Sequence, residues 1–284
     1  MAICVSFINM KGGVGKTTLA SQVAHSADNA DFKTLIVDLD PQANLSQSLM
    51  TTKKYVNHLS KKLPTIDQVF EQYVSPSDGN DSPKSLDIHD LIIKGAGFWN
   101  LSTLDLIPSR LELSRVLRNP TGKERRLAKA LTQVDDEYDL ILIDCPPTES
   151  ILTEAAYFAS RYVLVPVKPE FMATIGLPLL ARSLDEFRLE NDDHEIEICG
   201  IVFNHSSSYV KGPESKKSIR EVTKEAEKRE WKVFDAHVRY SASYSKSARE
   251  ASPIGKTSHV RNDVAKEFEE FEQEFFETIG LNIG

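Results

Sequence analysis

The residues Lys11-Gly12-Gly13-Val14-Gly15-Lys16-Thr17-Thr18 constrain this chain more than any other stretch. They stand between a short apolar run, Ala2–Asn9, and a segment with helical spacing, Lys16–Ala27. Strand, glycine turn and helix in that order form the context of a phosphate loop. Glycines let backbone N–H groups converge on phosphate oxygens without Cβ clashes, and the helix N-terminus adds partial positive charge. In such a loop Lys16 reaches the β- and γ-phosphates and Thr17 holds Mg²⁺. The plain alternative is a tight glycine turn with an exposed lysine; the flanking strand and helix favour the phosphate loop.

The same order recurs downstream. Thr34–Val37, Leu101–Ile107, Tyr138–Ile143, Tyr162–Val167 and Ile196–Phe203 read as strands. Arg110–Leu117, Glu124–Val134 and Gly176–Leu189 read as helical. Strands apolar throughout are buried on both faces, which predicts a doubly wound, mostly parallel sheet with helices on both faces. Ligands of such sheets sit at the carboxyl ends of the strands. Ser75–Ser85 (SPSDGNDSPKS) reads as a surface loop within one domain spanning residues 1–284. In Asn262–Ile279, Val264, Phe268, Phe271, Phe275 and Ile279 recur at helical spacing, predicting a helix packed on the core with an acidic outer face.

Two aspartate motifs fall at strand ends. Asp38-Leu39-Asp40-Pro41-Gln42 follows the strand at Thr34–Val37, and Asp40 lies 22 residues after Thr18. A carboxylate there orients a Mg²⁺-bound or attacking water; an Asx turn into a helix is the plain reading. Leu140-Ile141-Leu142-Ile143-Asp144-Cys145-Pro146-Pro147 places Asp144 at the end of a hydrophobic strand, as a Mg²⁺ ligand through water. Cys145 has no nearby histidine and reads as a buried bystander.

Composition removes other classes. Of 284 residues, 40% are hydrophobic and 27% charged, which suits a globular fold. The longest apolar runs are strand-sized, and no secretory leader precedes the first strand, so a cytoplasmic chain is expected. Cys4, Cys145 and Cys199 form no CxxC pair, and the histidines lack metal-site spacing.

The loop departs from the general GxxxxGK[ST] pattern: Met10 stands where glycine is usual, and Lys11 lies inside. This resembles the deviant phosphate loop of the ParA/MinD group of ATPases. The resemblance implies a nucleotide-sandwich homodimer in which Lys11 reaches the γ-phosphate bound by the other subunit. It implies that Lys11, Lys16 and Asp40 are the catalytic residues and that Thr17, Asp38 and Asp144 serve the metal. The implied nucleotide contacts are Gly12, Gly13, Val14, Gly15, Lys16, Thr17 and Thr18, with Asn204 and Pro166 near the base. The residues alone do not separate ATP from GTP; the resemblance implies ATP and Mg²⁺.

Leu106-Ile107-Pro108-Ser109 with Leu111-Glu112-Leu113, and Val238-Arg239 followed by Pro253-Ile254-Gly255-Lys256, resemble the small ParA/Soj partition ATPases, which lack an N-terminal helix-turn-helix domain. Val238 stands where proline is usual, and Ser206–Pro213 forms a long loop. The family implies nonspecific DNA binding by the dimer, association with the nucleoid, and a ParB-like adaptor with a basic N-terminal segment that stimulates hydrolysis. Related proteins run the same cycle on protein cargo such as carboxysomes or chemoreceptor clusters. A MinD-like membrane-surface role requires a basic amphipathic C-terminal helix, and here that helix is acidic.

Net charge is −8, which by itself argues against a nucleic-acid binder. From Lys211 to Arg261, however, 13 Lys/Arg face 7 Asp/Glu, a local net of +6 that leaves −14 on the rest. Lys216, Lys217, Arg220, Lys224, Arg239, Lys246 and Arg249 are the candidate DNA contacts. A solvated helix with i,i+4 Glu–Lys pairs is the plain reading of that stretch.

Overall fold

The computed structural model describes residues 1–71, 73–74, 84–98, 102–206 and 212–283. The predicted loop at 75–85 therefore falls mostly outside the described residues, as does 207–211 of the Ser206–Pro213 loop. Seven strands form one sheet: β1 (Ile3–Phe7), β2 (Thr34–Asp38), β3 (Leu104–Ile107), β4 (Leu140–Asp144), β5 (Tyr162–Val167), β6 (Glu197–Asn204) and β7 (Val233–Val238). Their order is β3-β2-β4-β1-β5-β6-β7, and every pair is parallel. A separate antiparallel pair joins Tyr73–Val74 to Lys84–Ser85.

The chain leaves β1 towards β2 on one side and later returns to β5 on the other, so the order reverses at β1. A crevice forms outside the carboxyl end of the strand where this happens. The phosphate-loop motif follows β1 directly.

Side-chain alternation sorts the two faces. On β1, Val5 and Phe7 join one core with Leu140 and Leu142 of β4. Cys4 joins the opposite core with Ile141 and Ile143. The first face is covered by α1 (Lys16–Asn29), α2 (Asn44–Met50), α9 (Ala242–Glu250) and α10 (Asn262–Thr278). α3 (Thr52–Ser60) packs beside α2. The second face is covered by α4 (Asp67–Glu71), α5 (Arg126–Leu131), α6 (Ile151–Ala159), α7 (Ala173–Glu190) and α8 (Pro213–Glu227). In register, Phe7 lies opposite Asp144, and Asp144 opposite Asp38. Both aspartates therefore point to the face that α1 covers.

Several elements differ from their predicted extents. The strand expected at Leu101–Ile107 begins at Leu104, with residues 99–101 outside the description. Arg110–Leu117 becomes a 3₁₀ helix at Leu111–Arg118. The Glu124–Val134 helix contracts to Arg126–Leu131. β7 was not predicted because it is an edge strand whose polar Asp235 and His237 interrupt any apolar run.

α10 is the aromatic layer of the first core. Phe268, Phe271, Phe275 and Phe276 are buried, with ring contacts from Phe271 to Phe234 at 5.7 Å and from Phe275 to Phe7 at 6.3 Å. Gly200 of β6 makes room for this layer: a Cβ there would stand 2.6 Å from Phe234 Cζ. Truncating Phe271 to alanine is expected to lower the unfolding free energy by about 3–5 kcal/mol. Leu189→Ala, at a side chain 84% exposed, should change it by less than about 0.5 kcal/mol. Urea denaturation of both variants checks the pair.

Candidate nucleotide-binding site

The loop between β1 and α1 turns on two glycines in the left-handed region, Gly13 (φ 73°) and Gly15 (φ 94°). Gly15 is the N-cap of α1, and no side chain accepts from the helix's first N–H groups. Those donors, and the positive end of the helix dipole, remain available to an anion. A Cβ at Gly15 would lie 1.9 Å from Asn204 Nδ2. Asn204 is held by that contact: its Nδ2 donates to Val14 O at 2.7 Å, and its Oδ1 accepts from His205 N at 2.8 Å. The carboxyl end of β6 is thereby tied to the loop.

Lys16 is buried and folds back over the loop, donating to Asn9 O (3.0 Å) and Lys11 O (3.3 Å). Burial pushes its pKa down, opposed first by the charge of Asp144. Asn9 braces the other wall, donating to Pro166 O at 2.7 Å and accepting from Lys11 N at 2.9 Å. Pro166 thus enters through its backbone. Lys11 reaches out to the lip, where its Nζ meets Glu170 Oε2 at 2.7 Å; Lys168 pairs with the other carboxylate oxygen.

The two in-register aspartates have different surroundings. Asp38 is committed: Oδ1 accepts from Asp40 N (3.2 Å), and Oδ2 from Ser46 N (2.8 Å) and Ser46 Oγ (2.6 Å). It fixes the loop into α2, which leaves little of it for a metal. Burial raises its pKa to about 7. Asp144 is fully buried, yet neither carboxylate oxygen has a well-formed hydrogen bond. Burial and the Asp38 charge raise its pKa well above the usual range, while the Thr17 hydroxyl and Lys16 beside it favour its charged form. A buried carboxylate without donors is costly. Carboxylate and hydroxyl oxygens together form a donor set for a hard divalent cation. Asp40 is half-buried and accepts from Gln42 N at 2.9 Å, the Asx turn also read from sequence. Cys145 is buried, with its thiol pushed well up by burial, as an inert side chain requires.

Beyond Thr17 and Thr18 the loop opens into a cleft of 390 Å³. Its walls include Ser21 and Gln22 of α1, Asn44 and Ser48 of α2, Asn204, and His205, Tyr240 and Tyr244. Sequence reasoning missed the aromatic residues, since β7 and α9, which carry the last two there, were not predicted.

The basic residues do not form one strip. Lys216, Lys217, Arg220 and Lys224 are exposed on α8 without ion pairs among the described residues. Lys246 and Arg249 lie on α9, across the sheet. Arg239 follows β7 and is engaged internally: it makes a two-pronged bond to Glu267 (2.7 and 2.6 Å) and a third to Asp263 (2.7 Å).

This combination of switch-point loop, buried lysine and strand-end aspartates defines a phosphate-loop nucleoside triphosphatase fold. A family model described as "AAA domain" matches residues 2–198. Over 178 residues the chain is 34% identical to the chromosome-partitioning ATPase Soj of Treponema pallidum, covering 63% of this chain and 62% of that protein. Over 217 residues it is 30% identical to an uncharacterized protein of Methanocaldococcus jannaschii, covering 75% and 77%. The structure of apo McdA from a Cyanothece species superposes with a TM-score of 0.76 at 20% identity, covering 99% and 100%. The chain belongs to this AAA-domain family and, within it, to the ParA/Soj-type partition ATPases.

The raised Asp38 pKa has a stability consequence. Because the folded state favours the protonated carboxyl, the corresponding stability is full below the unfolded value of 3.8 and is lost as pH rises through about 7. Stability of the nucleotide-free protein, followed by urea titration across that window, should therefore fall more steeply with pH in wild type than in Asp38→Asn.

Proposed function

We propose that the chain is an ATP- and Mg²⁺-dependent ATPase whose nucleotide-bound homodimer binds DNA nonspecifically and releases it on hydrolysis. The observation that carries this reading is Asp144: a buried carboxylate without hydrogen bonds, beside Thr17 and Lys16 at the mouth of the phosphate loop. Thr17 and Asp144 are the residues that would hold Mg²⁺, and the ion would supply charge neutralisation at the phosphates. The N–H groups of Gly12–Thr18 orient the triphosphate, Lys16 neutralises its β- and γ-oxygens, and Asp40 orients the attacking water. The solved plasmid partition protein of Borrelia burgdorferi bound to AMPPNP has the same fold (TM-score 0.72, 21% identity).

Lys11 acts in trans on this reading. In the single chain Glu170 holds it at the lip, so dimerisation exchanges that carboxylate for a phosphate of the second subunit. Exposed Lys216, Lys217, Arg220 and Lys224 make phosphate contacts that need no base readout. The outer face of α10 carries exposed Glu269, Glu270 and Glu277, which supports DNA over an anionic lipid surface as the partner. A ParB-like adaptor with a basic N-terminal segment stimulates turnover, and the protein works in the cytoplasm on the nucleoid.

Gel filtration with Mg-ATP should give a dimer for Asp40→Ala, whereas Lys11→Ala should bind ATP yet stay monomeric. A normal Lys11→Ala dimer would remove its trans role. Lys217→Glu combined with Arg220→Glu should leave the dimer intact, weaken DNA binding about tenfold or more, and flatten its dependence on log salt. Unchanged affinity by fluorescence anisotropy at two salt concentrations would place the DNA surface elsewhere.

A further inference from the structure

The cleft next to the phosphate loop contains a hydroxyl that the fold leaves unused. Tyr244 is 9% exposed and lines the cleft, and its phenolic oxygen is buried with no hydrogen-bond partner. Tyrosines that bury their ring normally pair the hydroxyl. Its ring cannot easily turn away, because it packs edge-on against Phe268 of α10 at 6.3 Å. Burial first, then the nearby Glu267 charge, push its pKa up, so the group is a donor throughout the physiological range.

The surrounding residues give the cleft two unlike ends. Thr17 and Thr18, at the start of α1, form one end. At the other, Tyr240 is 72% exposed and stands perpendicular to His205, ring centres 5.4 Å apart and planes at 89°. An anion-binding end and an aromatic end suit a triphosphate carrying a flat heterocycle. The corner that carries Tyr240 and leads into Tyr244 is clamped by the Arg239–Glu267 fork, whose side chains are only 15% and 8% exposed. Fork-shaped guanidinium–carboxylate pairs fix orientation as well as distance.

We propose that Tyr244 reads the nucleoside, its hydroxyl donating a hydrogen bond to the nucleoside of a triphosphate seated on residues 12–18, while Arg239 and Glu267 are positioning residues for the Tyr240–Tyr244 corner, a role that rests on the phosphate-loop reading above. Arg239, counted from sequence among the DNA contacts, thus serves nucleotide selection instead.

Two ligands separate the outcomes: Mg-ATP, and Mg-tripolyphosphate, which has phosphates and no nucleoside. In Tyr244→Phe, calorimetry should show ATP affinity reduced about tenfold, the worth of one hydrogen bond, with tripolyphosphate affinity unchanged. The melting temperature of the nucleotide-free variant should be equal to or above that of wild type, since an unpaired buried hydroxyl has been removed. Arg239→Lys, which keeps the charge and loses the fork, should show the same selective loss. Unchanged ATP affinity in Tyr244→Phe would overturn the proposal. So would an equal loss of both ligands, the mark of a merely structural role. Arg239→Lys weakening DNA binding while sparing ATP would overturn the positioning role. A wild-type protein that binds ATP but takes up no tripolyphosphate at any concentration would refute the phosphate-loop reading itself, and Tyr244's role with it.

Discussion

Asp38 and Asp144 end neighbouring parallel strands directly opposite each other, fully buried and pointing under the same helix. Two carboxylates so placed repel each other in a medium that screens poorly. The fold resolves half of the problem locally: Asp38 receives three hydrogen bonds, which shape the turn through Asp40 into α2. The other half stays open, because Asp144 receives no comparable donors, and Lys16 is drawn between it and the loop carbonyls. Burial alone would neutralise both side chains; only added positive charge at Asp144 keeps it ionised. The least satisfied point of the core therefore lies where a phosphate-bound cation would complete it.

The parallel register makes this arrangement possible. Because β1, β2 and β4 run the same way, the glycine loop, Asp38 and Asp144 all emerge at one edge. Reversal of strand order at β1 then leaves that edge open on the side of β5 and β6. Asn204, at the end of β6, reaches across the opening to Val14. The loop's shape thus depends on a strand almost two hundred residues later in the chain, and Gly15 is required both by its own backbone angle and by the Asn204 side chain against it.

The parts legible in the sequence are those whose chemistry is contiguous. β1, β2, β4, β5 and β6 are buried on both faces, so unbroken apolar text marks them. The phosphate loop and the strand-end aspartates sit within a few residues of that text. What stayed hidden depends on long-range assembly. α2 and α3 are separated at Thr51, a non-glycine residue at φ 63°, which breaks the periodicity of the segment. β7 alternates polar and buried residues at the sheet edge, and with it went α9 and the cleft wall that it carries. The two roles of Asp38 and Asp144 were equally hidden, because the difference is made by Ser46, a residue on another element.

Charge was the feature whose linear reading changed most in three dimensions. The basic stretch from Lys211 to Arg261 is divided between α8 and α9 on opposite faces of the sheet, and Arg239 is neutralised by α10. What survives as a free positive surface is the start of α8. There the placement is informative, because Lys216 and Lys217 stand in the first two turns, where cations oppose the helix dipole. A helix built for its own stability would reverse them, and Glu214 alone offsets them. Lysines and dipole together concentrate positive potential at one helix end, the end that follows β6 and so lies on the same edge as the phosphate loop. A polyanion bound there would turn a small intrinsic destabilisation of α8 into a gain, and would do so next to the site where nucleotide state is set.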